Sequence, residues 1–128
     1  MKYADIEKFC LSLPGATLSI QWGSDHVYKV GGKMFAVMGA PEMRPQTLSF
    51  KASDSSFDIL TRAKNIIPAP YMARMKWVNL QKLDALTTKE MKGYLIRAHA
   101  IVASGLTKKK QAELGLPAKA SALGRFSP

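Results

Sequence analysis

The stretch His26-Val27-Tyr28-Lys29-Val30-Gly31-Gly32-Lys33-Met34-Phe35-Ala36-Val37 decides the fold. Two runs rich in β-branched and aromatic residues meet at a Gly-Gly pair, and a two-residue hairpin turn needs positive backbone angles that glycine adopts freely. Counting outward from the turn opposes Val30 to Lys33, Lys29 to Met34 and Tyr28 to Phe35. Side chains alternate along a strand, so Lys29 and Lys33 flank the tip and project to opposite faces. The tip is a cationic wing. Lysines there either keep an edge from aggregating or touch nucleic acid.

Before the hairpin, Leu18, Ile20 and Trp22 alternate with Thr17, Ser19 and Gln21, the pattern of a strand with one buried face. After it, a loop over residues 39–45 with Pro41 and Pro45 leads to a strand over residues 46–51, where Leu48 and Phe50 alternate with polar neighbours. Short turns between successive strands require antiparallel pairing, because parallel neighbours need a long crossover.

The helices that cover this sheet are marked as clearly. Ile6, Phe9, Cys10 and Leu13 recur at helical spacing, and Pro14-Gly15 ends that segment. Ser53 or Asp54 can cap a second helix through Phe57, Leu60 and Ala63. Pro68 and Pro70 then bracket a loop before a strand over residues 75–80. Thr87-Thr88-Lys89-Glu90 is a capping box opening a long helix, whose residues Met91, Tyr94, Leu95, Ala98, Ile101, Val102, Gly105 and Leu106 share one arc. The reading is α+β: one two-layer domain over residues 1–115, an antiparallel sheet of about five strands with helices on one face, in the order α-β-β-β-β-α-β-α. Residues 116–128, without periodicity, read as a mobile tail.

The chain has 128 residues, 47% of them hydrophobic, which suits one core. Nineteen Lys and Arg against nine Asp and Glu give a net charge of +10, a surface that attracts nucleic acid or anionic lipid. Residues 1–64 hold eight basic and six acidic side chains (+2), and residues 65–128 hold eleven and three (+8). Neither an export signal nor a membrane span is visible, because the most apolar segment, residues 95–106, carries Arg97 and His99. A lone Cys10 and seven methionines suit a reducing cytoplasmic setting, with Cys10 as a small buried hydrophobe.

Leu13-Pro14-Gly15-Ala16, the hairpin from Val27 to Ala36, and Pro70-Tyr71-Met72 followed by Lys76-Trp77-Val78 together resemble the MmcQ/YjbR family, over about Lys2 to Leu114. The resemblance implies helices on one face of an antiparallel sheet, a secretion-chaperone-like arrangement, and a double-wing mode of DNA binding. It marks Lys33 and Trp77 as the positions most typical of the family. Arg74-Met75-Lys76 departs from the usual polar and basic run by placing a methionine at its centre.

The candidate DNA contacts are Lys29 and Lys33 at the first wing and Arg74, Lys76 and Trp77 at the second, with Lys51 and Lys108, Lys109 and Lys110 as outlying cations. Few groups suit base edges, so mostly phosphate contacts are expected. Trp22, Trp77, Tyr71, Met72 and Phe35 read first as packing residues. An enzyme is not expected: Ser24-Asp25-His26 has triad letters, but adjacent residues of an extended chain point apart. His26 and His99 lack metal partners at workable spacing, and no cofactor motif is present, since no helix start follows Gly31-Gly32. The other reading is a protein-binding module with Met34, Met38, Met43, Met72 and Met75 lining an apolar surface, and on either reading a monomer is expected.

Overall fold

The computed structural model describes residues 1–116. Its elements run α1 (Tyr3–Ser12), β1 (Ala16–Gln21), β2 (Asp25–Val30), β3 (Lys33–Met38), β4 (Leu48–Lys51), α2 (Asp54–Leu60), β5 (Ile66–Pro68), β6 (Trp77–Leu80), α3 (Thr88–Ser104) and α4 (Lys108–Glu113). The strands form one antiparallel sheet in the order β1-β2-β3-β4-β6-β5. The expected α+β, two-layer architecture stands, with six strands instead of about five. The additional strand is β5, which sequence reading placed in a loop. It has three residues and ends in proline, which an edge strand tolerates because one side needs no donor.

At the hairpin, Gly31 and Gly32 have φ of 59° and 81°, the pair of positive angles that the turn demands. Val30 pairs with Lys33 and Lys29 with Met34, but Tyr28 pairs with Ala36 rather than Phe35. The register shifts by one residue between Tyr28 and Lys29, and Phe35 is the unpaired extra. Its ring turns into the core, edge-on to His99 with centroids 5.3 Å apart.

Local chemistry starts and stops the helices. The Asp5 carboxylate accepts the Lys2 backbone N–H at 3.1 Å, at the positive end of α1. Ser53 Oγ accepts the Ser56 N–H at 3.1 Å, so Ser53 is the cap of α2. Thr87 and Glu90 form the expected box, with backbone-to-side-chain bonds of 3.1 and 2.9 Å. Met91, Leu95 and Ala98 of α3 face the core beside Tyr28, Val30, Met38, Leu48, Phe50, Val78 and Leu80, with Ile6 and Cys10 from α1 and Leu60 from α2. Buried Cys10 has its thiol pushed up to about 12, first by desolvation and then by the Glu7 charge.

Two expectations are corrected. Leu18 and Ile20 share the helix-side face of the sheet but lie on its edge strand and are exposed, and Trp22, just past the end of that strand, is exposed as well. α3 also buries His99, Ala100, Ala103 and Ser104 outside the projected arc, because α1 and α4 flank it. His99 Nε2–H donates to the Pro14 carbonyl at 2.6 Å, and Gln111 donates to the carbonyls of Ala103, Ser104 and Leu106. Leu116 packs against the core. The remainder of the expected tail lies outside the described residues.

Candidate nucleic-acid interface

Strand directions decide which charges meet. β4 runs opposite to β3 and β6 opposite to β4, so the hairpin tip, Lys51 at the end of β4 and Trp77 at the start of β6 share one end of the sheet. Strands 4.7–4.9 Å apart put about 10 Å between β3 and β6, across β4. The C-terminus of α3 reaches the same end: a Cβ at Gly31 would lie 2.6 Å from Leu106 Cδ1. Residues 108–110, which open α4, follow at once.

Lys29, Lys33, Lys51, Arg74, Lys76, Lys108, Lys109 and Lys110 therefore gather at the tip end, where Asp54 and Glu113 are the carboxylates among the described residues. That is eight cations less two acids, or +6. The described chain, which excludes Lys119 and Arg125, has 17 cations less nine acids, or +8. Three quarters of its net charge thus sits at one end. Glu113 lies 4.0 Å from Lys110, an exposed pair worth little.

The individual groups differ in freedom. Lys33 and Arg74 are exposed, while Lys29 and Lys76 are half-buried. Lys76 Nζ stands 4.9 Å from the centre of the Phe57 ring. Lys51 Nζ donates to the Met75 carbonyl, so it ties β4 to the loop that carries Arg74 and Lys76. Desolvation, with a smaller push from Lys76, lowers its pKa against the raising influence of Asp54.

Trp77 is 3% exposed, so the ring expected among the contacts is a packing anchor; it opens β6 beneath the loop. Above it lies the loop over residues 70–76, with a 3₁₀ turn at Ala73–Met75 where a strand start was expected. It is pinned by Met72 N–H to Ala69 O, Lys76 N–H to Ala73 O and Trp77 N–H to Met72 O, at 3.1, 2.9 and 3.2 Å. Left-handed backbone at Tyr71 (φ 66°) and Lys76 (φ 62°) shapes it. Tyr71, read from sequence as packing, is fully exposed at 106%, and Met75 is exposed beside it. The signal for this lay in Pro68 and Pro70, which already marked a loop restarting at Tyr71.

The other end of the sheet is organised differently. His26 Nδ1–H donates to Glu7 Oε1 at 2.5 Å, and Tyr28 OH donates to the same oxygen at 3.0 Å. Tyr3 OH donates to the Gly39 carbonyl at 2.6 Å and its ring meets His26 edge-on. Burial, joined by the Glu7 charge, pushes the Tyr3 hydroxyl up to about 12 and raises Tyr28 further. Glu7, not Asp25, therefore orients His26, across 19 positions of sequence. Among the described residues no group of three or more His, Cys, Asp or Glu is placed to hold a metal ion. No helix among them is long and apolar enough to cross a membrane. The methionines do not make one surface: Met38 is in the core, and Met43 stands in the loop at the end away from the tip.

Comparison with known proteins agrees with this architecture. No curated protein matches the chain. Among solved structures, protein DR2400 of Deinococcus radiodurans, which carries a DUF419 domain, superposes with a TM-score of 0.80 at 24% identity, over 91% of this chain and 89% of its own. That likeness is one of fold. The family model described as YjbR matches residues 11–101, from the end of α1 through the hairpin and the loop over residues 70–76 into α3. The chain belongs to the YjbR family.

Proposed function

We propose that this protein binds DNA through the cationic end of its sheet, gripping phosphates with little regard to sequence. The observation that supports this most is the gathering of eight cations against two carboxylates at that end. Binding a polyanion requires cations along its track and an element that enters a groove. The hairpin tip with Lys29 and Lys33 is one such element, and the loop carrying Arg74 and Lys76 is the other. Lys51 and Trp77 hold the second loop in place, and Tyr71 offers an exposed ring to a base or sugar. The tip end presents ammonium groups and one guanidinium, which suit phosphate more than base edges. This is a binding protein acting without cofactor or catalysed step, in a cytoplasmic setting.

Fluorescence anisotropy with two unrelated labelled duplexes over a salt series tests the reading. Neutralising about four to six phosphates gives log affinity a slope of about −4 to −5 against log salt, the same for both duplexes. Absence of binding at the lowest salt, or a slope near zero, overturns it.

A further inference from the structure

We propose that β1 is the contact strand of a symmetric homodimer, in which two copies pair antiparallel about a two-fold axis at Ser19. The two edges of the sheet are unlike. β5 is short and ends in Pro68, a common guard against strand addition. β1 has six residues in unbroken register with β2 and carries no charge, proline or bulge, so its outward N–H and C=O groups form an open template. On the face it shares with the helices it exposes Leu18 and Ile20, and just past its end Trp22 is 65% exposed on left-handed backbone (φ 49°). Leu11 of α1 is exposed as well.

Residues 17–21, Thr-Leu-Ser-Ile-Gln, read the same in polarity from either end. Antiparallel pairing centred on Ser19 sets Leu18 of one copy against Ile20 of the other, and Thr17 against Gln21. Apolar side chains then meet on one face and hydrogen-bonding ones on the other, in the pairing that stabilises adjacent strands. A second copy is the occupant whose pattern fits.

Charge agrees with this orientation. Thr17 is the neighbour of Lys29 and Gln21 the neighbour of Asp25. Antiparallel pairing therefore aligns the Lys29 row of one copy with the Asp25 row of the other, and sends the two cationic ends in opposite directions. Each copy still carries +10, so salt screens the remaining repulsion and strengthens the dimer. The proposed DNA binding has the opposite salt dependence, so the two readings fail independently.

Sedimentation equilibrium of the full chain in high salt, from about 10 μM to about 1 mM, is the test. The expected mass rises with concentration from 14.0 kDa toward twice that value. Ile20→Lys and Leu18→Glu each stay at the mass of one copy with unchanged circular dichroism, both side chains being exposed already. Mixed together they associate again, because the register sets the introduced carboxylate against the introduced ammonium. A wild-type chain that stays monomeric at about 1 mM overturns the proposal, whether β1 is then open or covered by another protein's segment. So does growth into larger assemblies, undiminished association of either variant, or a mixture of the two that fails to associate.

Discussion

The two ends of the sheet use ionisable groups in opposite ways. At the far end Glu7, His26 and Tyr28 are satisfied by one another, within 2.5 to 3.0 Å. At the tip end Lys33 and Arg74 face solvent, and among the described residues the nearest approach of a carboxylate to a cation there is 4.0 Å, between Glu113 and Lys110. A part-buried cluster uses its electrostatics to hold α1 to β2, whereas the unneutralised surface charge is what the proposed DNA binding draws on. One end secures the fold, and the other is free to work.

Mutations that touch one end and leave the other silent test this division. The largest effect is expected from reversing charge at the tip. Lys29→Glu with Lys33→Glu removes two phosphate contacts and adds two repulsions, so duplex affinity at low salt should fall about a hundredfold or more for every sequence alike. Anisotropy titrations measure it, and thermal stability should not change. A loss confined to one sequence would contradict phosphate gripping.

At the far end, Tyr28→Phe deletes the hydroxyl that donates to Glu7. Folding stability should drop by about 1 kcal/mol, a few degrees in Tm, with duplex affinity unaltered. Urea denaturation beside the same titrations would show whether the two ends are as separate as they look.

The smallest effect is one of pH. Desolvation lowers the pKa of His99 despite the Pro14 carbonyl, which works to raise it. The unfolded chain keeps the ordinary value near 6.5, so below that pH it binds more protons than the native state does. The stability this residue contributes is present above about pH 6.5 and is lost as pH falls through its folded value. His99→Gln, which keeps a donor toward Pro14, should therefore lose less stability than the wild type between pH 7.5 and 5.5. Equal losses in parallel denaturation series would sink this.

What was legible in the sequence was local. The Gly-Gly turn and the Thr87–Glu90 box each rest on residues within a few positions of one another and are present in the fold, and of the α3 arc Met91, Leu95 and Ala98 are buried. What escaped depends on which element ends up beside which. Alternation in residues 17–22 identified a strand and its apolar face, but whether a helix covers that face depends on the strand's place at the sheet edge. Glu7 and His26 meet because α1 lies against the sheet, which no spacing in the chain reveals. Trp77 keeps the packing role read first for it while Tyr71 departs from its own, for the same reason: a loop folded over one ring while its own left-handed turn lifted the other into solvent.

The seating of Gly31 on Leu106 bears on where this protein can be cut. The segment shared with the family ends at residue 101, before the side chain on which the tip rests and before Gln111, which ties α4 back to α3. A fragment trimmed to the shared segment would retain all six strands and yet leave its hairpin without a floor. The smallest piece that displays this wing as the whole chain does has to extend through α4.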